Sequence, residues 1–342
     1  MTNTQPKISV LMPVYNCEKF LKKAIDSILN QTFDNFEYII INDGSTDNSL
    51  SIIKSYKDKR IKIINNSKNL GISRSLNKGI RQAKGEYIAR HDSDDISDLN
   101  RFKLQLEYLG EKRVDLVDSS IVFIDEDDKY LRNYEDRSFS PEETLSHLFF
   151  YEINHGTILC KRSLIERSKI EYNIRPAEDY ELFINLAKAG MKSGRINKAL
   201  VKVRERPDSL CGSNWANVKK DIDQIRIGLL GDMGLKPSDR ERKIHIALID
   251  QDFSILSKYK FNDVLRWSNK IVDSNSLYKT YSVNYIKTQL YIRIIRLIKH
   301  IKRRTFFNLL RLKKSAAKYD KNISFKDLFY LYRYQSIKNE KD

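Results

Sequence analysis

Three carboxylates crowd into four residues at Asp92-Ser93-Asp94-Asp95, directly after the apolar run Glu86-Tyr87-Ile88-Ala89. Like charges this close repel by about 4 kcal/mol per pair at an effective dielectric near 20, so the cluster asks for a divalent cation or a solvated turn. Oxygen-only ligands suit Mg²⁺ or Mn²⁺. Mg²⁺ commonly sits between one or two carboxylates and substrate phosphates, which makes a diphosphate the natural third party. The competing reading is an acidic turn capping a helix that starts near Asp98. A second acidic pair, Glu178-Asp179, precedes a helical run over residues 182–189, where the helix N-terminus stabilises negative charge.

The elements that must position these groups repeat one pattern through the first hundred residues. Strands are expected at 8–12, 38–41, 61–64 and 86–89. Each of the first three leads through a polar turn into a helix, at 20–29, 47–56 and 73–83, the last stopped by Gly85. Such alternation implies right-handed βαβ units and a mostly parallel sheet. Ligands of such sheets lie outside the carboxyl ends of the strands, and the polar clusters at Asp43, Asn69 and Asp92 each follow a strand. A further helix is expected from residue 101 to about 108, and a strand-like run at 115–124. No Gly-x-Gly-x-x-Gly follows the first strand and no Gly-Lys-Ser/Thr phosphate loop occurs, which disfavours a dinucleotide or P-loop fold.

Five motifs in order, Pro13-Val14-Tyr15-Asn16, Asn42-Asp43-Gly44-Ser45-Thr46-Asp47, Asn69-Leu70-Gly71, Asp92-Ser93-Asp94-Asp95 and Glu178-Asp179-Tyr180-Glu181-Leu182, resemble those of the family-2 inverting glycosyltransferases of bacterial polysaccharide, capsule or O-antigen type. The resemblance covers residues 6 to about 210 and implies a GT-A nucleotide-sugar-binding fold: an α/β, Rossmann-like, mostly parallel mixed sheet flanked by helices, here followed by a C-terminal helical region. It implies a metal-dependent transfer from a nucleotide sugar, UDP-linked in preference, to a lipid-linked or surface glycan, with Mn²⁺ or Mg²⁺ as cofactor. Carried over residue by residue, Pro13, Val14 and Tyr15 wall the base and ribose, with Asn16 in the same donor-binding segment. Asp43 accepts the imide N–H of uracil, and Asn69, Gly71 and Arg74 lie near the donor. Asp92 contacts ribose and shares the metal site, Asp94 binds the metal, and Asp179 is the base with Glu178 as its alternate. His155, in Asn154-His155-Gly156-Thr157, lies on the acceptor side. Arg206 stands where many relatives carry a His, a departure that argues against metal ligation there and leaves a cation able to pair with phosphate oxygens.

The 342-residue chain is 41% hydrophobic and 31% charged, enough for a sizeable core. A catalytic domain is expected over residues 1–214 and a basic, mostly helical region over 215–342. Cys17, Cys160 and Cys211 lack paired metal spacing and read as reduced thiols. Residues 1–7 are polar and the first apolar run is too short for a signal peptide, so the expected location is cytoplasmic. The net charge of +17 is concentrated late: residues 274–319 contain no Asp or Glu. Ile286, Leu290, Ile294, Ile295, Ile298 and Ile301 recur at helical spacing among Lys and Arg, a pattern that suits peripheral attachment to an anionic membrane surface or packing on the catalytic domain. No nucleic-acid motif accompanies the charge, so nucleic acid is not an expected partner. A nucleotidyltransferase, the rival enzyme class, would carry a Gly-rich and basic phosphate loop near the first strand, where this chain has Pro13-Val14-Tyr15-Asn16.

Overall fold

The computed structural model describes residues 5–134, 139–206, 214–301 and 305–316. Two compact units divide the chain, Met1–Asp221 and Ile222–Asp342.

The first unit begins with β1 (Ile8–Val14), α1 (Glu18–Leu29), β2 (Phe36–Asn42), α2 (Ser49–Ser55), β3 (Ile61–Asn65), α3 (Ile72–Gln82) and β4 (Tyr87–Arg90). β1 and β2 are buried almost throughout, which is why both read as continuous runs of Val, Ile and Leu rather than as alternating strands. Phe20, Leu21, Ala24, Ile25 and Ile28 form the inner face of α1 and pack in one core with Val10, Met12, Tyr38 and Ile40 of the sheet. β3, β2, β1 and β4 run parallel in that order. The chain thus winds outward from β1 to β3 and then crosses back to place β4 on the other side of β1. Such a reversal leaves a crevice at the carboxyl ends of β1 and β4.

Beyond β4 come β5 (Ile96–Ser97), α4 (Arg101–Lys112), β6 (Leu116–Ile124), β7 (Tyr130–Tyr134), α5 (Thr144–Leu148), β8 (Leu159–Lys161), α6 (Arg162–Ser168), α7 (Glu178–Lys188) and β9 (Ser193–Arg204). β8 lies antiparallel between β4 and β6, β9 runs parallel to β6, and the described strands join one mixed nine-stranded sheet in the order β3-β2-β1-β4-β8-β6-β9-β5, with β7 on β6.

In the second unit the helices Asp239–Ile249, Phe261–Tyr278, Val283–Ile301 and Thr305–Ala316 carry most of the described chain. Ile286, Leu290, Ile294, Ile295 and Ile298 are at most 1% exposed. The last three share a cluster with Leu265, Leu309, Leu312 and Ala316. The isoleucine stripe is thus buried inside this unit. The basic residues between the isoleucines do not form a solvated face either. Arg293 is buried and donates to the Gln289 side chain at 3.1 Å, Arg296 pairs with Gln251, and Lys287 and Lys299 are half-buried. No described helix is long and apolar enough to cross a membrane. Because Ile294 is a core residue, Ile294→Ala is expected to cost about 2–5 kcal/mol in urea unfolding, whereas a lipid-facing isoleucine would leave stability in solution nearly unchanged.

Candidate active site

The crevice at the β1/β4 reversal is lined first by turns whose polar side chains hold one another. Asn16, at φ 48°, accepts from Thr46 N at 2.8 Å, and its own N–H donates to Ser45 Oγ at 3.1 Å. Asp47 accepts from the first backbone N–H of two helices, Glu18 N at 3.0 Å and Ser49 N at 2.9 Å. Gly44, at φ 70°, lets this turn press on the next one, since a Cβ there would lie 2.4 Å from the Lys68 carbonyl carbon.

Asp43 is 3% exposed and accepts from Asn66 Nδ2 (2.8 Å), Leu70 N (2.9 Å) and Gly71 N (2.9 Å). Asn69 Oδ1 also accepts from Gly71 N, at 2.9 Å. Asp43 is therefore the organiser of the Asn69-Leu70-Gly71 turn. Val14 points into the core, which leaves half-buried Pro13 and 48%-exposed Tyr15 at the strand end. Arg74 is exposed on the first turn of α3, with no ion pair among the described residues.

β4 ends at Arg90, opposite Leu11, and the acidic turn follows. The turn is fixed from below: Arg101 Nη2 donates to the carbonyls of Arg90 (2.7 Å) and Ile158 (3.2 Å), and Cys17 Sγ donates to Ser93 O at 3.3 Å. The acids are not left to repel one another. Asp92 pairs with Arg90, whose side chain is only 5% exposed. Asp94 Oδ2 accepts from Arg206 Nε at 3.0 Å and Nη2 at 2.9 Å. Asp95 is buried, accepts from Arg204 N at 2.9 Å, and has a second carboxylate oxygen with no partner among the described residues. Burial, with Asp94 adding to it, pushes the Asp95 carboxyl up to about 7. Asp95 thus lies beneath the turn and does not cap a helix.

The second acidic pair opens α7. Arg175 donates to Glu181 (2.6 Å) and to Asp221 (2.7 Å), and Asp221 accepts from Ala177 N at 3.0 Å, which fixes the first turn of α7. Glu178 is 9% exposed, and burial with the neighbouring Asp179 charge pushes its carboxyl up to about 7. The Asp179 side chain is 36% exposed and its carboxyl is raised in the same direction by burial, with Tyr180 N and Arg90 opposing. His155 is 9% exposed, and its Nδ1 lies 3.7 Å from Asp179 Oδ2.

One short segment joins the two acidic groups. The 3₁₀ turn His155–Thr157 places His155 beside Asp179, while a Cβ on Gly156 would sit 2.8 Å from Asp92 Oδ2 and 3.3 Å from Arg90 Nη1. The turn is braced by Asp118 Oδ2, which accepts from Asn154 N at 2.9 Å and pairs with buried Arg195. Thr157 Oγ1 accepts from Ser119 N at 3.0 Å. Sequence reasoning missed Arg90 and Tyr172, and gave Gly156, quoted beside His155, no role of its own. The only signal was proximity, since Arg90 ends the strand two residues before Asp92. Its charge is felt by Asp95, His155, Glu178 and Asp179 alike.

Because the raised Glu178 carboxyl holds a proton that the unfolded chain releases near 4.5, stability on this account falls as pH rises from about 4.5 through 7. Glu178→Gln is expected to raise the thermal midpoint relative to the parent at pH 8, with the gain shrinking toward pH 4.5. A gain independent of pH would contradict the assignment.

Residues 9–171 match the sequence model of glycosyl transferase family 2. EpsE of Bacillus subtilis, named as a glycosyltransferase, is 34% identical over 218 residues, covering 60% of this chain and 76% of EpsE. TuaG, named as a teichuronic acid biosynthesis glycosyltransferase of the same organism, is 28% identical over 226 residues, covering 64% of this chain and 87% of TuaG. Coverage is lower elsewhere: the chain spans 29% of a longer Rickettsia bellii glycosyltransferase to which it is 38% identical over 204 residues. The crystal structure of Staphylococcus aureus TarS residues 1–349 in complex with UDP-GlcNAc aligns with a TM-score of 0.56 at 18% identity, covering 86% of this chain and 92% of that one. At that identity the likeness speaks to the fold, a mixed curled sheet of GT-A type followed by helices. The chain belongs to glycosyl transferase family 2 and is a glycosyltransferase.

Proposed function

We propose that this enzyme transfers a sugar, with inversion, from a UDP-linked donor to a hydroxyl of a lipid-linked or surface-polysaccharide glycan. The observation that carries the reading is the shared turn His155–Thr157, which brings Asp92 and Asp179 to one crevice. A donor diphosphate beside Asp92 and Asp94 would have its anomeric carbon within reach of a base on α7. The UDP-GlcNAc bound to TarS and the polysaccharide role in TuaG's name support the donor and acceptor classes.

The donor set fits a divalent cation completed by phosphate. Asp92 and Asp94 offer one or two carboxylates, the number that suits Mg²⁺ or Mn²⁺ shared with a diphosphate. Arg206 Nε and Nη2 both lie on Oδ2 of Asp94, and a cation would be met by Oδ1. Asp94 and Asp92 would hold the cation, which when bound supplies Lewis-acid neutralisation of the departing nucleoside diphosphate.

The chain's own groups do the rest. Pro13 and Tyr15 flank the base, while Asp43 sets the Asn69-Leu70-Gly71 turn on which it rests. The imide N–H of uracil then meets the remaining acceptor capacity of the Asp43 carboxylate. Arg206 and the exposed Arg74 would pair with phosphate oxygens. Asp179 takes the proton from the acceptor hydroxyl as that oxygen attacks the anomeric carbon and the bond to the diphosphate breaks. Burial and the neighbouring Asp179 charge favour the protonated form of Glu178, which makes it the alternate to Asp179 as base. It is able to donate to an acceptor hydroxyl.

Two measurements test this reading. Calorimetric titration with UDP, GDP and dTDP, in Mn²⁺ and then in chelator, is expected to show metal-dependent preference for UDP that Asp94→Ala removes. Preference for another nucleotide would overturn the donor. Asp179→Asn is expected to keep UDP affinity and lose about 10²–10⁴-fold in turnover, and near-normal turnover would overturn the base.

A further inference from the structure

The proposed base does not stand alone. Tyr172 is buried, its hydroxyl 2.6 Å from His155 Nε2, and its backbone is clamped by Asn77, which accepts from Tyr172 N at 3.0 Å and donates to Tyr172 O at 2.9 Å. The opposite ring nitrogen, Nδ1, is the one that faces Asp179. Phe183, one turn into α7, packs edge-on against the imidazole at 5.8 Å between centroids.

We infer that Tyr172 and His155 are positioning residues for Asp179: Tyr172 donates to Nε2, which fixes the imidazole as the Nδ1–H tautomer, and that N–H steers Oδ2 of the base. This rests on Asp179 being the base of the proposed transfer.

The assignment follows from the donor and acceptor inventory. A neutral imidazole has one donor and one acceptor nitrogen. Were Nε2 to carry the proton, the bare lone pair of Nδ1 would face a carboxylate, and the Tyr172 hydroxyl proton would lose its acceptor on the ring. With Nδ1 protonated, both contacts are attractive. Burial and the charge of Arg90 hold the imidazole well below its ordinary pKa, so a neutral ring is the form present near neutral pH. The distance of 3.7 Å is longer than a hydrogen bond, as is common before substrate binds and a catalytic site tightens. Tyr180 N fixes the other oxygen, Oδ1, at 2.7 Å. The carboxylate is thereby held by both edges, with its remaining lone pairs available to a hydroxyl.

The test uses the full chain labelled with ¹⁵N-histidine. His155, identified by its loss in His155→Gln, is expected to appear at pH 7 as a neutral Nδ1–H imidazole, and Tyr172→Phe is expected to shift it toward the Nε2–H form. An Nε2–H ring in the parent, or a tautomer unmoved by Tyr172→Phe, would overturn the inference. This readout needs no substrate. With UDP-GlcNAc as the probe and UDP release as the assay, Tyr172→Phe and His155→Gln are expected to lower kcat by roughly 10- to 100-fold while KM and UDP affinity stay within about twofold. Unchanged kcat in both variants, alongside inactive Asp179→Asn, would remove the positioning role and leave the base in place. Active Asp179→Asn would remove the base reading itself, and the inference with it.

Discussion

The acids of Asp92-Ser93-Asp94-Asp95 and of Glu178-Asp179 crowd one crevice, and this site depends on how their charge is balanced. Arg90 supplies the central charge. It is 5% exposed, pairs with Asp92, and acts electrostatically on Asp95, Glu178 and Asp179 as well. Arg206 meets Asp94 from the end of β9, and Arg204 donates its backbone N–H to Asp95. Desolvating an arginine costs several kcal/mol, so such a residue persists where its charges are met by specific partners. Arg90 meets that condition because donor-side and base-side acids approach it together.

The sheet makes this arrangement possible. Crossing back from β3 to β4 puts the end of β4 next to the end of β1. β8, antiparallel to β4, then begins directly after the His155–Thr157 turn. The turn is therefore stitched to β4 by sheet hydrogen bonds on one side, and on the other to Asp118 and Ser119 of β6. A side chain at Gly156 would press on the Asp92 carboxylate and turn it aside. Paired strands and a hydrogen-bonded turn set the spacing between the two acidic groups.

Much of this was legible in the residues. The continuous apolar runs of β1 and β2, the helical spacing of Phe20 to Ile28, and the polar clusters after each strand gave the order of the first half and the crevice. β8 and β9 were not legible: β8 is three residues long, and β9, Ser193–Arg204, alternates Arg, Asn and Lys with short apolar positions and reads as a polar connection. Arg90 looked like the first residue after a strand rather than the hub of a charge network, because nothing in sequence spacing tells which long-range acids a buried arginine will meet. The isoleucine stripe of Val283–Ile301 was visible, but periodicity does not say what a stripe faces. Here it faces other helices of its own unit. Asp43 shows a subtler limit, since its turn position was clear and its role as organiser of the turn at Leu70 and Gly71 was not.

The most direct test of the central claim, that both acidic groups serve one donor crevice, is a crystal structure of the full chain with UDP and Mn²⁺, read by manganese anomalous scattering. The account predicts an anomalous peak on the Asp94 carboxylate against the diphosphate, the uracil at the Pro13 and Tyr15 strand end, and the Asp179 carboxylate open toward the β-phosphate side. Nucleotide bound elsewhere, or manganese away from the Asp92-Ser93-Asp94-Asp95 turn, would contradict it.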